Sequence, residues 1–209
     1  MRLRSLKIAW KLPSHSVVSN ALIVSGAILL LYVGWAYFMM WQQQRTLSKQ
    51  WAQHHEQRTN QAAALDDGLV RVVIPKANVD AIVVDGVTRK LLAVGPGHMP
   101  STPMPGETGN AVISAHRDTF FRHIGDLRTG DHVIVHRGGS IFQFAVKNKK
   151  IVKPNDLSVI RPTDDAELTL ITCYPTYFIG PAPKRLIVVS KLVRILPDTG
   201  NTVATASEP

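Results

Sequence analysis

Thiols are almost missing from this chain: among 209 residues there is one cysteine, Cys173. A single thiol excludes an intrachain disulfide and a zinc site built from cysteines. The eight histidines show no metal-ligand spacing. His54-His55 lie in a polar, helix-prone stretch, and His132 and His136 fall on one strand face as surface residues. There is no internal repeat, no glycine-rich phosphate loop and no paired-carboxylate motif. No metal and no cofactor is expected.

Acidic residues are scarce at one end. Residues 1–58 carry seven Lys/Arg against one acid, Glu56, a balance of +6. The remainder carries seventeen against fourteen, a balance of only +3, within a formal net charge of +9. That distribution argues against a nucleic-acid partner and for a basic flank meeting anionic lipid. Lys147, Lys149, Lys150 and Lys153 read as a solvated strand edge rather than a phosphate-binding face.

Charge is absent altogether from Val17 to Met40, an apolar run long enough for a hydrocarbon core of about 30 Å. Trp35, Tyr37 and Trp41 gather toward its end as an interfacial belt. A cleaved signal peptide would have a shorter apolar region and a small-residue cleavage site, so a retained anchor is expected. Arg2, Arg4, Lys7 and Lys11 precede the span, while Arg45, Lys49 and Arg58 follow it more sparsely. The bias places the N-terminus in the cytoplasm and the rest of the chain outside. The expected organisation is a basic N-terminus over 1–16, a transmembrane anchor over 17–41 and a helical stalk over 42–67. A folded domain over 68–196 and a polar tail over 197–209 complete it.

Proline and glycine are absent from Gln42 to Asp67, which reads as a helix leaving the membrane and fraying into a linker. Trp51, its one large apolar group, is expected on the domain or on lipid. From Gly68 the pattern changes to short β segments with turn punctuation. They are Leu69–Ile74, Ala81–Val84, Ala111–Ala115, His132–Arg137, Ile141–Lys147, Lys150–Lys153, Glu167–Thr172 and Arg185–Leu192. Gly138-Gly139 is a two-residue hairpin signal. Helix is confined to stretches near Arg89–Val94 and Phe120–Ile124. The fold class is therefore mainly β, a closed or nearly closed eight-stranded barrel. Gly95 to Gly109 is too rich in Pro and Gly for regular structure and reads as a loop crossing the barrel.

Three strand ends carry chemistry. Cys173 ends Thr169-Leu170-Ile171-Thr172, a strand that Pro175 stops because it has no amide hydrogen to donate. His116 follows Ala111–Ala115, and Arg185 opens Arg185-Leu186-Ile187-Val188-Val189. A thiolate attacks, an imidazole moves protons and a guanidinium holds a developing oxyanion. Each also has a plainer role, as a small core group, a loop residue and an edge charge. Asp118 either orients the His116 ring or caps a short helix beginning near Phe120.

The words Ser114-Ala115-His116-Arg117-Asp118 and Thr169-Leu170-Ile171-Thr172-Cys173-Tyr174-Pro175, with Arg185 on the next strand, resemble the sortase family of membrane-anchored cysteine transpeptidases. The resemblance covers roughly residues 68–196. The Tyr177-Phe178-Ile179-Gly180-Pro181-Ala182-Pro183 connection is similar to the class D and E branches and to the proteobacterial sortases. The compact domain and short stalk favour the last. What it implies is an eight-stranded sortase barrel with Cys173, His116 and Arg185 as the catalytic residues. Thr172, Asp118 and Tyr177 are expected to contact or position substrate. The implied partners are a secreted protein with an LPXTG-like signal, an amine acceptor and the membrane lipid.

Two rival readings differ in kind. A cysteine L,D-transpeptidase of cell-wall peptidoglycan places an Arg two residues after its Cys, where this chain has Pro175. A non-enzymatic, membrane-tethered β-barrel would bury Cys173 as an inert thiol. The chain also spells Leu196-Pro197-Asp198-Thr199-Gly200, an LPXTG word. It is either a chance end to the last strand or a tethered pseudo-substrate raised in effective concentration.

Overall fold

A computed structural model describes residues 15–59, 69–177 and 180–198. Expectations for the basic N-terminus, the linker before Gly68, Thr199-Gly200 and the tail from Asn201 lie outside those residues. The chain divides into two compact units, residues 1–41 and 42–209.

The helix α1 runs His15–Thr59, and its part within the first unit is apolar all round. Leu22, Ile23, Leu30, Leu31 and Tyr32 are all exposed. A helix whose apolar groups point in all directions, with no protein around them, has the composition of a membrane span. The stretch Val18–Gln53 meets that criterion by length and mean hydropathy.

The rest of α1 belongs to the second unit and is no free stalk. Gln44 acts as a surrogate strand residue for Ile82. Its Oε1 accepts from the Ile82 amide (3.3 Å), and its Nε2 donates to the carbonyls of Val94 (2.8 Å) and Ile82 (3.4 Å). Further along α1, Trp51 meets the His136 ring edge-on at 5.9 Å and lies 5.0 Å from the Arg71 guanidinium. Of the two surfaces expected for Trp51, it packs on the domain. The Arg71 guanidinium is held above its ordinary pKa, first by its hydrogen bonds to Asp80 and further by the Asp198 charge.

These contacts carry a prediction. Trp51→Ala removes an aromatic face from a cation and a ring at once, worth about 1–2 kcal/mol. We expect the domain to melt a few degrees lower in calorimetry, and a chain beginning after Thr59 to lose at least as much. Identical melting of that shortened chain and the full chain would show that the docked turns contribute nothing.

The barrel strands are β1 (Val70–Ile74), β2 (Val79–Asp85), β3 (Gly97–His98), β4 (Asn110–Ser114), β5 (His132–Arg137), β6 (Ser140–Val152), β7 (Glu167–Tyr174) and β8 (Lys184–Pro197). They close in the order β1-β2-β3-β4-β7-β8-β6-β5. The β2/β3 and β4/β7 pairs are parallel and the others antiparallel. Alternate residues fill the interior, as with Leu168 and Leu170 of β7 and Leu186 and Val188 of β8.

The barrel was expected with eight strands, but two boundaries differ. The expected segments Ile141–Lys147 and Lys150–Lys153 are one strand, β6, whose register on β8 shifts between Val146 and Asn148. The unexpected β3 sits inside the Pro/Gly-rich loop, held by β2 on one side and β4 on the other. Beyond Ala145, β6 has no β5 partner. Lys147, Lys149 and Lys150 stand exposed on that margin, as a solvated strand edge should. Gly138 and Gly139 form the β5–β6 turn with φ of 57° and 72°, the left-handed pair a tight hairpin demands. A short α2 (Arg89–Leu92) is capped by the Thr88 side chain. Where a helix was expected near Phe120–Ile124, turns over residues 117–123 lead into a 3-10 turn at Ile124–Asp126.

The first three residues of the LPXTG word are built into the wall. Leu196 and Pro197 pair with Ile141 and Ser140 of β6. Asp198 accepts from His136 Nδ1 at 2.6 Å, and its amide donates to the Gly139 carbonyl. Exposing this word as a peptide requires unzipping the end of β8 and leaving a half-buried histidine without its carboxylate.

Candidate active site

The parallel register of β4 on β7 runs Asn110↔Glu167 through Ser114↔Ile171. It continues one step past the strand, because the Ala115 amide donates to the Ile171 carbonyl at 3.1 Å. Carried one residue further, it brings His116 level with Cys173. On the other side of β7, Cys173 pairs directly with Arg185 of β8. The three strand ends named above thus meet at one level of the wall, on strands spaced about 4.8 Å apart.

They also share a face. Side chains on a strand alternate, and Leu168 and Leu170 point into the barrel, so Cys173 points away from it. Directly opposed residues of an antiparallel pair lie on one face, which places Arg185 beside the thiol. Cys173, His116 and Arg185 are all half-buried, reachable by a ligand and partly shielded from water.

Backbone carbonyls hold the Arg185 side chain. Its Nη1 donates to Ala182 at 3.2 Å and to Lys184 at 2.9 Å. Among the described residues, Nε and Nη2 make no hydrogen bond, and a planar fork with two such edges can take an anionic oxygen.

Thr172 is not where a substrate contact was expected. It is 2% exposed, on the inward side of β7, and its hydroxyl donates to the Ala115 carbonyl at 2.8 Å. Alternation forces this: with Cys173 facing out, its neighbour faces in. The hydroxyl ties the strand end that carries His116 to the strand that carries the thiol. Asp118 is exposed, and among the described residues its carboxylate bonds neither a ring nor a backbone amide. Tyr177 stands 84% exposed in the β7–β8 connection.

One further residue of the site carried no expectation. Arg117 donates from Nη1 to the Pro175 carbonyl at 3.1 Å and from Nη2 to the Gly180 carbonyl at 2.8 Å. The word Ser-Ala-His-Arg-Asp placed it beside the imidazole, but nothing local indicates a partner so distant in sequence.

A closed barrel with a thiol, an imidazole and a guanidinium level on one outer face defines a candidate cysteine acyl-transfer protein. The Sortase domain family model matches residues 72–193, and the chain belongs to that family. It is 39% identical to Sortase D of Bacillus subtilis over 121 residues, 57% of this chain and 61% of that protein. The chain spans 54–63% of the length of the curated relatives it matches. Among solved structures, it is similar to the Sortase D5 transpeptidase of Clostridium perfringens, with a TM-score of 0.59 and 25% identity. That match covers 73% of this chain and 97% of the other. A sortase E variant from Streptomyces avermitilis has a TM-score of 0.56 and 27% identity, covering 63% of this chain and 91% of that one. The expected likeness to classes D and E agrees with these relatives.

Proposed function

We propose that this protein is a membrane-anchored cysteine transpeptidase acting on secreted proteins with an LPXTG-like signal. The observation that carries the reading is the register that sets Cys173 opposite Arg185 and level with His116. Cys173 Sγ adds to the carbonyl carbon of the signal's Thr, and its proton passes to His116. The tetrahedral oxyanion sits against Arg185. His116 then protonates the departing amine as the C–N bond breaks, leaving an acyl thioester on Sγ. An incoming amine attacks that thioester and gives up a proton to His116, and the thiolate leaves. Water in the amine's place gives hydrolysis as a side reaction.

The two rivals fit less well. An inert thiol belongs inside the barrel with Leu168 and Leu170, whereas Cys173 is on the other face and half-exposed. The L,D-transpeptidase pattern takes its Arg from the residues just after the Cys, whereas here the paired Arg comes from the neighbouring strand.

Intact mass spectrometry of the full chain in detergent, incubated with candidate sorting peptides, tests the reading. The expected species is the protein plus the acyl fragment on Cys173, discharged by an added amine. A thiol that alkylates freely yet forms no adduct with any such peptide rules the mechanism out.

The orientation belongs to the same proposal: N-terminus cytoplasmic, a single span, and the barrel extracytoplasmic, which is the periplasm if the cell is Gram-negative. The charge bias across the span and the apolar helix support it. An alkaline phosphatase reporter fused after Asp67 should be active and stay with the membrane fraction. A soluble, released fusion beginning near Gln42 would instead indicate a cleaved signal.

A further inference from the structure

Arg117 follows His116 directly, and its guanidinium reaches across to the connection between β7 and β8. That connection begins just after Cys173 and ends just before Arg185, so it joins the nucleophile to its guanidinium partner. The carbonyls Arg117 takes, Pro175 and Gly180, belong to the first and sixth of the nine residues between β7 and β8, and the exposed Tyr177 lies between them in sequence. Two carbonyls bound by one planar fork are fixed relative to each other as well as to the residue that holds them. A lysine ammonium on a flexible stem serves one of them well but cannot impose a spacing between two. Thr172 already ties the same pair of strand ends from inside the barrel. Arg117 supplies a second tie, outside the barrel and one turn further along.

We propose that Arg117 is a positioning residue for acyl transfer, clamping the β7–β8 loop at Pro175 and Gly180 to the turn that follows His116. The inference rests on the transpeptidase reading of this site. The fork's bonds to Pro175 and Gly180 go to backbone carbonyls, and it is through the loop that Arg117 is proposed to act. Released, the loop lets Tyr177 and the Ala182 carbonyl that holds the Arg185 side chain drift relative to the thiol. Displacements near 1 Å in such a constellation cost up to about a hundredfold in rate.

The test uses the full chain in detergent micelles, as wild type, Arg117→Lys and Arg117→Gln. It compares kcat and KM for peptide transfer, iodoacetamide alkylation of Cys173, melting temperature, and trypsin cleavage after Lys184. We expect kcat/KM to fall by roughly 10- to 100-fold in both variants, with the thiol alkylating within about twofold of wild type. Melting should stay within a few degrees, and cleavage after Lys184 should speed up several-fold as the loop opens locally. A merely structural residue would lower melting, and thiol reactivity would change in step with transfer. That pattern overturns the proposal, as does wild-type kcat/KM in both variants. If the wild type itself transfers no peptide, the transpeptidase reading fails alone. Cleavage still decides the clamp in that case, since equal rates after Lys184 in wild type and Arg117→Lys overturn it. If Arg117→Gln does not fold, Arg117→Lys carries the comparison.

Discussion

Cys173→Ala should abolish both cleavage and transfer, a loss of at least about 10⁴-fold in kcat/KM, while the barrel stays folded. The chain has no second thiol to take over. Neither His116 nor Arg185 can form the thioester that divides the reaction into two easier steps. The structural cost should be slight, because Cys173 is half-exposed on the outer face and the substitution removes only the sulfur. The backbone bonds of β7 to β4 and β8 are untouched, so melting should stay within a degree or two. Two readouts on one sample settle the matter: the transfer rate and the mass of the protein after incubation with peptide. Retained turnover, or an acyl adduct on another side chain, would falsify covalent catalysis by this thiol.

What could be read from the sequence divides along the line between local and distant chemistry. β5 and the Gly138-Gly139 turn were legible because alternation and left-handed glycines are properties of a few adjacent residues. β3 was not, since Gly97-His98 has no strand propensity and exists only because β2 and β4 hold it from both sides. β6 was cut in two because Lys147-Asn148-Lys149-Lys150 breaks the apolar alternation, although the backbone continues past a register shift on β8. The docked part of α1 looked like a stalk, as one Gln and one Trp in a polar helix do not reveal an unpaired Ile82 amide or an Arg71 guanidinium elsewhere.

At the site, residue types and order were legible and direction partly so. Thr172 could have been placed from parity alone, because it cannot share a face with Cys173. Arg117 could not, since both its partners lie across the fold. For the LPXTG word, left as either a chance strand end or a tethered pseudo-substrate, the pairing of Leu196 and Pro197 on β6 favours the first. Strand β8 carries Arg185 near one end and Leu196 near the other, roughly 35 Å apart at the rise of an extended chain. Leu196 is therefore far from the thiol along β8, and Leu196 to Asp198 are bonded to β6, Gly139 and His136.

Arg185→Lys keeps the positive charge and should still lower kcat/KM by about a hundredfold or more, the usual cost of losing an oxyanion donor. The reason lies in how the guanidinium is held. Nη1 is occupied by the carbonyls of Ala182 and Lys184, which fix the plane of the group and leave the directions of Nε and Nη2 set in advance. A lysine at this position has one ammonium to share between those carbonyls and the oxyanion. Its stem lets the charge settle on the carbonyls, which are present throughout, rather than on an oxygen that carries charge only in the transition state. The loss should therefore fall mainly on kcat, with KM nearly unchanged, since the interaction is made only as charge develops. Thioester formation, followed by mass in a single turnover, should slow by the same factor, because the first tetrahedral species needs the same donor. Wild-type kinetics in Arg185→Lys would mean that only bulk charge matters, and that the fixed edges of the guanidinium have no part in the chemistry. A large rise in KM at constant kcat would instead make Arg185 a substrate-binding residue, moving its hydrogen bond from the transition state to the ground state.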